Sequence, residues 1–259
     1  MTGSKILAMG HYQPSRVLTN ADLAKTVDTN DTWIRDRVGI AERRIAEGET
    51  VADMASAAAG KALANSGLTA ADIDLVVVAT CSSADRCPNV ATRVASKLGI
   101  AAPSAFDLNT ACSGFSYALA TADHAIRAGA ARNAIVIGAE KLSEITDWTD
   151  RSTAVLFGDG AGAAILAACA AAGITPKDLA AFVPHQANLR IIEPLARKLG
   201  VDNAVVARDI IGSGNTSAAS IPLALSKMLE RREVPSGAPI LLFGFGGGLT
   251  YAGQVVRCP

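Results

Sequence analysis

Two kinds of apolar pattern alternate along the chain. Short continuous runs, such as KILAMG from Lys5, AIVIG from Ala134 and ILLFG from Ile240, have the length and polar flanks of buried strands. Between them lie Ala-rich stretches with helical spacing, closed by Gly67 in one case and by Gly173 in another. The order is helix, a D-I or D-L turn, apolar strand, polar junction, second helix and another apolar strand. That alternation predicts an α/β protein.

The pattern occurs twice. SGLTAADIDLVVV from Ser66 resembles AGITPKDLAAFVP from Ala172, Asn109-Thr110 matches Asn215-Thr216, and AIVIG from Ala134 matches ILLFG from Ile240, each pair 106 residues apart. Ala-rich helices followed by apolar strands are common, so a single pair would mean little. Three pairs at one offset predict a duplicated fold. Both units end in a Gly-rich strand, GDGAGAAIL from Gly158 and GGLTYAGQVV from Gly247, as expected of two halves related by a pseudo-twofold axis. The halves are unequal, however. The first opens with the strand from Lys5, a loop around Trp33 and a complete helix from about Val51. After AAIL at Ala163 the second runs straight into AACAAAGIT, read as only the last turns of the matching helix. A segment is therefore expected to be missing between roughly Leu166 and Ala168.

Composition narrows the function. The 259 residues are 50% hydrophobic and 19% charged, enough to bury a substantial core. Lys plus Arg (24) equals Asp plus Glu (24), so no global field would hold a nucleic acid or an anionic membrane. The N-terminal apolar run is too short for a signal peptide and no run of about 20 apolar residues would span a bilayer, which predicts a cytoplasmic protein. The five cysteines are odd in number and have no C-x2-C pairing, so free thiols are expected in place of disulfides or a metal site.

One of those thiols is placed to react. In AFDLNTACSGFSYAL an apolar strand gives way to small polar residues and then to a helix with apolar Phe115, Leu119, Ala122 and Ile126, ended by Gly129. Cys112 thus sits at a strand-to-helix turn, where unpaired amides and the helix dipole favour a thiolate and can hold an oxyanion. Taken alone, a buried structural cysteine is the commoner case. The repeat adds partners: the facing junction SGNTSAAS puts Ala218 opposite Cys112 and offers Asn215, while His185 follows the strand LAAFVP at the position of Ala79. Strand carboxyl ends are where α/β sheets bind ligands, so Cys112, His185 and Asn215 are expected to converge. A nucleophilic thiol with neutral His and Asn donors suits acyl transfer to carbon through an enolate, without metal or redox cofactor.

The other candidates read as structural. His11 and His124 are expected on solvent-facing or hydrogen-bonded positions, and Cys81, Cys169 and Cys258 as small apolar fillers. The Gly-rich GFGGGLTY lacks the spacing of a phosphate loop and leads into a strand; Gly247 is instead expected to give one oxyanion donor and Cys112 the other.

Together, DLNTACSGFSYAL, VPHQANLRII, SGNTSAASIPLAL and FGFGGGLTYAGQVV resemble the beta-ketoacyl-acyl-carrier-protein synthase III family, as do TNADL at Thr19, DTWIRDRVGIAERRI at Asp31 and FGDGAGAAIL at Phe157. The resemblance covers almost the whole chain. It implies the thiolase fold, a duplicated five-layered αβαβα arrangement, here with halves at 1–166 and 167–259, and a homodimer. It implies acylation of Cys112 by a short acyl-CoA, then decarboxylation and condensation of malonyl-acyl-carrier protein to a 3-oxoacyl product, with His185 and Asn215 assisting and no cofactor beyond the coenzyme A thioester. On matching positions, Trp33, Arg37 and Arg151 would grip coenzyme A, Asn188 would line the pantetheine tunnel and Arg190 would dock the acidic carrier.

The chain departs from the family pattern twice. Cys87 stands where a large aromatic commonly limits acyl-chain size, which leaves room for a bulkier primer. Roughly sixty family residues after AAIL have no counterpart. The rival readings are a related ketosynthase of polyketide or quinolone assembly, and a paralogue that binds acyl-CoA or a carrier without turnover.

Overall fold

The computed structural model describes residues 2–84, 86–170, 178–201, 204–247 and 250–259. Strand β1 (Thr2–Tyr12) leads through a small ribbon of β2 (Arg16–Thr19) and β3 (Glu42–Ile45), which encloses helices α1 (Asn20–Leu23) and α2 (Asp31–Val38). Helix α3 (Val51–Ser66) follows; Thr50 and Asp53 cap it reciprocally and Gly67 ends it at φ 76°. Then come β4 (Leu75–Ala79), α4 (Val90–Leu98), β5 (Ser104–Leu108), α5 (Gly114–Arg127), β6 (Asn133–Glu140), α6 (Arg151–Ala154) and β7 (Gly160–Ala170). The second half has β8 (Ala181–Pro184), α7 (Leu189–Leu199), β9 (Val205–Val206), α8 (Ile210–Ser213), α9 (Ser220–Glu230), β10 (Pro239–Gly246) and β11 (Thr250–Arg257).

Two sheets carry the duplication. The first has the order β1-β7-β6-β4-β5 and the second β11-β10-β8-β9. β4 lies parallel to β5 and β6, and β6 antiparallel to β7; likewise β8 lies parallel to β9 and β10, and β10 antiparallel to β11. The central elements keep the 106-residue offset: β4 to β8, α5 to α9, and β6 to β10. It slips on the outer elements, since α4 and α7 start 99 residues apart and β5 and β9 101.

Residues alternate along these strands because both faces are covered. Leu75, Val77 and Ala79 face one core with Val136, Ala181, Val183, Ile240 and Leu242, into which α5 and α9 send Phe115, Leu119 and Leu225. Val76, Val78, Ile135 and Ile137 face the opposite way, against Met54, Ala58 and Ala62 of α3 and Val94 of α4. On the outer side of the second sheet, Phe182 packs with Ile192 and Ala196 of α7 and with Ile34 and Val38 of α2. The layers therefore run helix, sheet, helix, sheet, helix.

The inequality of the halves is visible in the sheets. Among the described residues, no strand lies beside β11 as β1 lies beside β7, and no helix takes the place that α3 has on the first sheet. One expectation fails, however. Residues 167–170 are not helical: they extend β7, Ala167 pairing with Lys5 and Ala170 with Thr2. The remainder of AACAAAGIT falls on residues 171–175, outside the described ones. An Ala-rich stretch has no face of its own, and pairing with β1 decides its state.

Candidate active site

The two junctions between the sheets are built alike. After β5 the Asn109 Oδ1 accepts from the Ala111 N–H at 3.1 Å, and Ala111 takes φ 48°. In the second half Asn215 Oδ1 accepts from the Ser217 N–H at 2.9 Å, and Ser217 takes φ 46°. A left-handed residue with a Cβ is strained by about 1–2 kcal/mol, and an Asn side chain that mimics a turn helps to hold it. Each sharp turn lifts the next residue to the tip: Cys112 in one half, Ala218 in the other. The end of β10 then closes on the thiol's main chain. A Cβ on Gly246 would come within 3.0 Å of Cys112 N and 3.1 Å of Ser113 N, so any larger residue would push on the elbow by a few tenths of an ångström.

Cys112 is partly buried, and its Sγ accepts from the Ser217 hydroxyl at 3.6 Å. Burial pushes its thiol above the ordinary 9.0 and the Glu140 carboxylate adds to this, while the Ser217 hydroxyl works the other way. The expected thiolate is thus opposed by the surroundings of the sulfur, and the cysteine rests as a thiol. The start of α5 two residues on can still favour the charge as it develops.

His185 follows β8 and is 2% exposed. Its Nδ1 lies 2.6 Å from the Ser220 Oγ, its main-chain N–H donates to the Phe243 carbonyl at 2.8 Å, and its ring meets Phe245 edge-on at 5.2 Å. Burial lowers its pKa to about 3, so the imidazole is neutral near pH 7. The three expected residues share one neighbourhood. Ser217 bonds both Asn215 and Cys112; Ser220, three residues on, bonds His185; Phe245 touches His185, and the next residue, Gly246, abuts Cys112. Gly247 has open space where a side chain would be, and its carbonyl accepts from Thr250 at 3.2 Å.

A second group gathers at the end of α2. The Trp33 ring lies 5.6 Å from the Arg37 guanidinium and 4.8 Å from that of Arg151, so an aromatic face is flanked by two cations. Arg151 also donates to the Asp28 carbonyl at 3.0 Å. Asn188 caps α7 by accepting from the Arg190 N–H at 2.9 Å and donates to the Arg37 carbonyl at 3.1 Å, which ties α7 to α2. Arg190 is exposed on the first turn of α7. Cys87 is also exposed, and no described contact joins it to Cys112. Among the described residues, no three of His, Cys, Asp and Glu are grouped to hold a metal ion.

Cys81 corrects the reading of the chain as a sequence. Far from an apolar filler, its thiol donates to Glu140 Oε1 at 3.3 Å and lies 3.9 Å from the Ser217 hydroxyl. Cys258, by contrast, is buried with Val234 O as its partner, and the Cys169 side chain is outside the described residues. His11 bonds Ser226 at 3.1 Å, as a structural histidine should. Glu140, Ser217 and Ser220 gave no signal in one dimension, because each meets its partners only in the fold: Glu140 at Thr80, Cys81 and Ser82, Ser220 at His185, and Ser217 across the interface at Cys112.

Known proteins agree with this architecture. A family model described as 3-oxoacyl-[acyl-carrier-protein] synthase III matches residues 106–181, and its C-terminal companion matches residues 169–258. A Streptomyces coelicolor protein called beta-ketoacyl-[acyl-carrier-protein] synthase III 4 is 55% identical, over 99% of this chain and 99% of its own length. The chain belongs to the beta-ketoacyl-acyl-carrier-protein synthase III family. Its fold is the thiolase fold: the crystal structure of the Aquifex aeolicus 3-oxoacyl-[acyl-carrier-protein] synthase III superposes with TM-score 0.94 at 40% identity, covering 98% of this chain and 100% of that one. The priming beta-ketosynthase of the R1128 polyketide pathway superposes with TM-score 0.95 at 36% identity, covering 99% and 96%. Membership makes it an acyltransferase of the condensing type. The Streptomyces coelicolor alignment runs over 313 positions against a chain of 259, so at least 54 (313 less 259) have no counterpart here.

Proposed function

We propose that the protein starts fatty-acid synthesis, moving a short acyl group from coenzyme A to Cys112 and then to the carbon of malonyl-acyl-carrier protein, with loss of CO2. The observation that carries this is Cys112 itself, held at the tip of a left-handed turn at a helix start, beside Ser217 and Gly246. Cys112 Sγ attacks the thioester, while the Cys112 and Gly247 amides receive the oxyanion. After coenzyme A leaves, the neutral His185 and the Asn215 amide donate to the carbonyl of the malonyl thioester as CO2 departs. An imidazole that stays uncharged suits this role, since it stabilises an enolate without protonating it outright. The resulting carbanion attacks the acyl-Cys112 carbonyl and expels the thiolate.

Trp33 flanked by Arg37 and Arg151 suits a flat base with phosphates at its edge, as coenzyme A presents. Asn188 belongs to the pantetheine path, Arg190 to the docking of the acidic carrier and Cys87 to the acyl-chain limit. The same proposal includes two halves, expected at 1–166 and 167–259 although β7 carries the first half on to Ala170, a homodimer, a cytoplasmic setting, no partner nucleic acid or membrane, and no cofactor beyond the coenzyme A thioester. No helix among the described residues is long and apolar enough to cross a membrane.

A second reading is a polyketide-priming ketosynthase, favoured by the likeness to the R1128 enzyme. Donor profiling separates the two. Condensation with malonyl-acyl-carrier protein from acetyl-CoA or short branched acyl-CoA supports the first, and turnover confined to longer or unusual starters supports the second. A protein that binds acyl-CoA but never acylates Cys112 would sink both.

A further inference from the structure

Glu140 is the last residue of β6 and is wholly buried, without a salt bridge among the described residues. Every described partner of its carboxylate is a donor: the hydroxyls of Ser82 and Thr80, the main-chain N–H of Cys81 at 3.1 Å and the Cys81 thiol at 3.3 Å. A buried carboxylate with donors but no cationic partner is costly to desolvate and is not what packing alone would select. The repeat sharpens the point. Glu140 lies 106 residues before Gly246, so one half puts glycine against the nucleophile's elbow where the other puts a carboxylic acid near the facing elbow.

From Glu140 a continuous chain of exchangeable protons reaches the active thiol. Cys81 Sγ is 3.3 Å from Glu140 Oε1 and 3.9 Å from Ser217 Oγ, and Ser217 Oγ is 3.6 Å from Cys112 Sγ. We propose that Glu140 holds the Cys112 proton while Cys112 is acylated, the proton travelling through Ser217 and Cys81. This rests on the acyl-transfer reading above and gives that site its base.

The steps balance. As Cys112 Sγ bonds to the thioester carbon, its proton passes to Ser217 Oγ, the Ser217 proton to Cys81 Sγ and the Cys81 proton to Glu140 Oε1. The carbon–sulfur bond to coenzyme A breaks, and the departing thiolate takes its proton from solvent. Glu140 stays protonated through the life of the acyl-enzyme. When the malonyl-derived carbanion takes the acyl group, Cys112 leaves as a thiolate and the proton returns by the reverse hops. In the resting structure the Ser217 hydroxyl donates to Cys112 Sγ, so the outward transfer begins with that hydroxyl turned towards Cys81 Sγ, a contact in which either atom can donate. Burial raises the proton affinity of Glu140, which fits a group that must accept from a thiol. Cys81, pushed up to about 12, stays a thiol between transfers.

The test measures the single-turnover rate of Cys112 acylation by acetyl-CoA, read by mass, in the full-length protein and in folded Glu140→Gln, Cys81→Ala and Cys81→Ser. Loss of a general base slows such a step about 100-fold or more. The relay predicts that loss in Glu140→Gln and Cys81→Ala, and a rate within a few-fold of the parent in Cys81→Ser, whose hydroxyl can still pass a proton. If Glu140 were only an anion opposing the thiolate, Glu140→Gln would acylate faster. Cys81→Ser as slow as Cys81→Ala would make Cys81 a packing residue. Either result overturns the relay, as do unchanged rates throughout. The infrared difference spectrum of the acyl-enzyme supplies a readout independent of rate: a protonated-carboxyl band, shifted in D2O and missing in Glu140→Gln, is expected, and its absence in the parent refutes the stored proton. A parent that takes up no acyl group refutes the acyl-transfer reading itself.

Discussion

The Ser217 hydroxyl donates to the sulfur of Cys112 across the interface between the two halves, at 3.6 Å. Ser217 is the counterpart of Ala111, the residue before Cys112, and both are held left-handed by an Asn two positions earlier. Each half thus builds the same turn, one presenting the nucleophile and the other the donor to it. A hydrogen bond to a charged group is worth about 1.5–3 kcal/mol. Ser217→Ala should therefore slow Cys112 acylation at least about tenfold and leave the melting temperature within a few degrees. Single-turnover kinetics beside calorimetry would check both.

A methyl group on Gly246 would crowd the nucleophile's elbow. Its Cβ would sit 3.0 Å from Cys112 N, so Gly246→Ala must move β10 away from the elbow or tilt the elbow itself. Overpacking of this kind costs about 1–3 kcal/mol. The expected outcome is a lower urea midpoint together with a loss of acylation out of proportion to it. A variant with parental acylation would show that the site tolerates the shift.

His185 fixes the sign of one pH effect. Its pKa is about 3 in the folded protein against an ordinary 6.5, so at mildly acidic pH the unfolded chain binds the proton and the folded one does not. Its stability contribution is complete above 6.5 and is lost as the pH falls through about 3. The urea midpoint should fall with pH below 6.5, and less steeply in His185→Gln. A titration of the His185 ring by NMR should show no protonation near 6.5; a midpoint there would contradict the neutral donor.

Trp33, with the Arg37 and Arg151 guanidiniums over its ring, carries the coenzyme A reading. Cation–π contacts of this type are worth about 0.5–2 kcal/mol. Arg151→Ala should weaken coenzyme A binding several-fold, more so at low salt, with the acylation rate of the saturated enzyme little changed. Calorimetric titration at two salt concentrations tests this, and equal affinity in parent and variant would remove Arg151 from the site.

Much of this architecture was legible in one dimension. Strand runs at Leu75, Ala134 and Ile240 could be placed because both faces of each strand are covered, the outer face of the last only partly, and the 106-residue offset held where strands and helices pack between the sheets. It slipped at α4 and β5, whose outward faces place fewer demands on spacing. The Ala-rich run after Leu166 was misread because alanine serves helix and strand alike, and pairing with β1 settles the matter. Cys112, His185 and Asn215 stood out by their places at strand ends. Cys81 and Glu140 did not, because their meaning comes from each other and from Ser217, at separations of 59 and 136 residues.

The central claim is that Cys112 is the residue that takes the acyl group. The direct measurement is the intact mass of the protein, with peptide mapping, after incubation with acetyl-CoA and other short acyl-CoA thioesters. The account predicts one acyl group per chain, located on Cys112 and absent from Cys112→Ala. Acylation that persists in Cys112→Ala, or that maps to another residue in the parent, would contradict it.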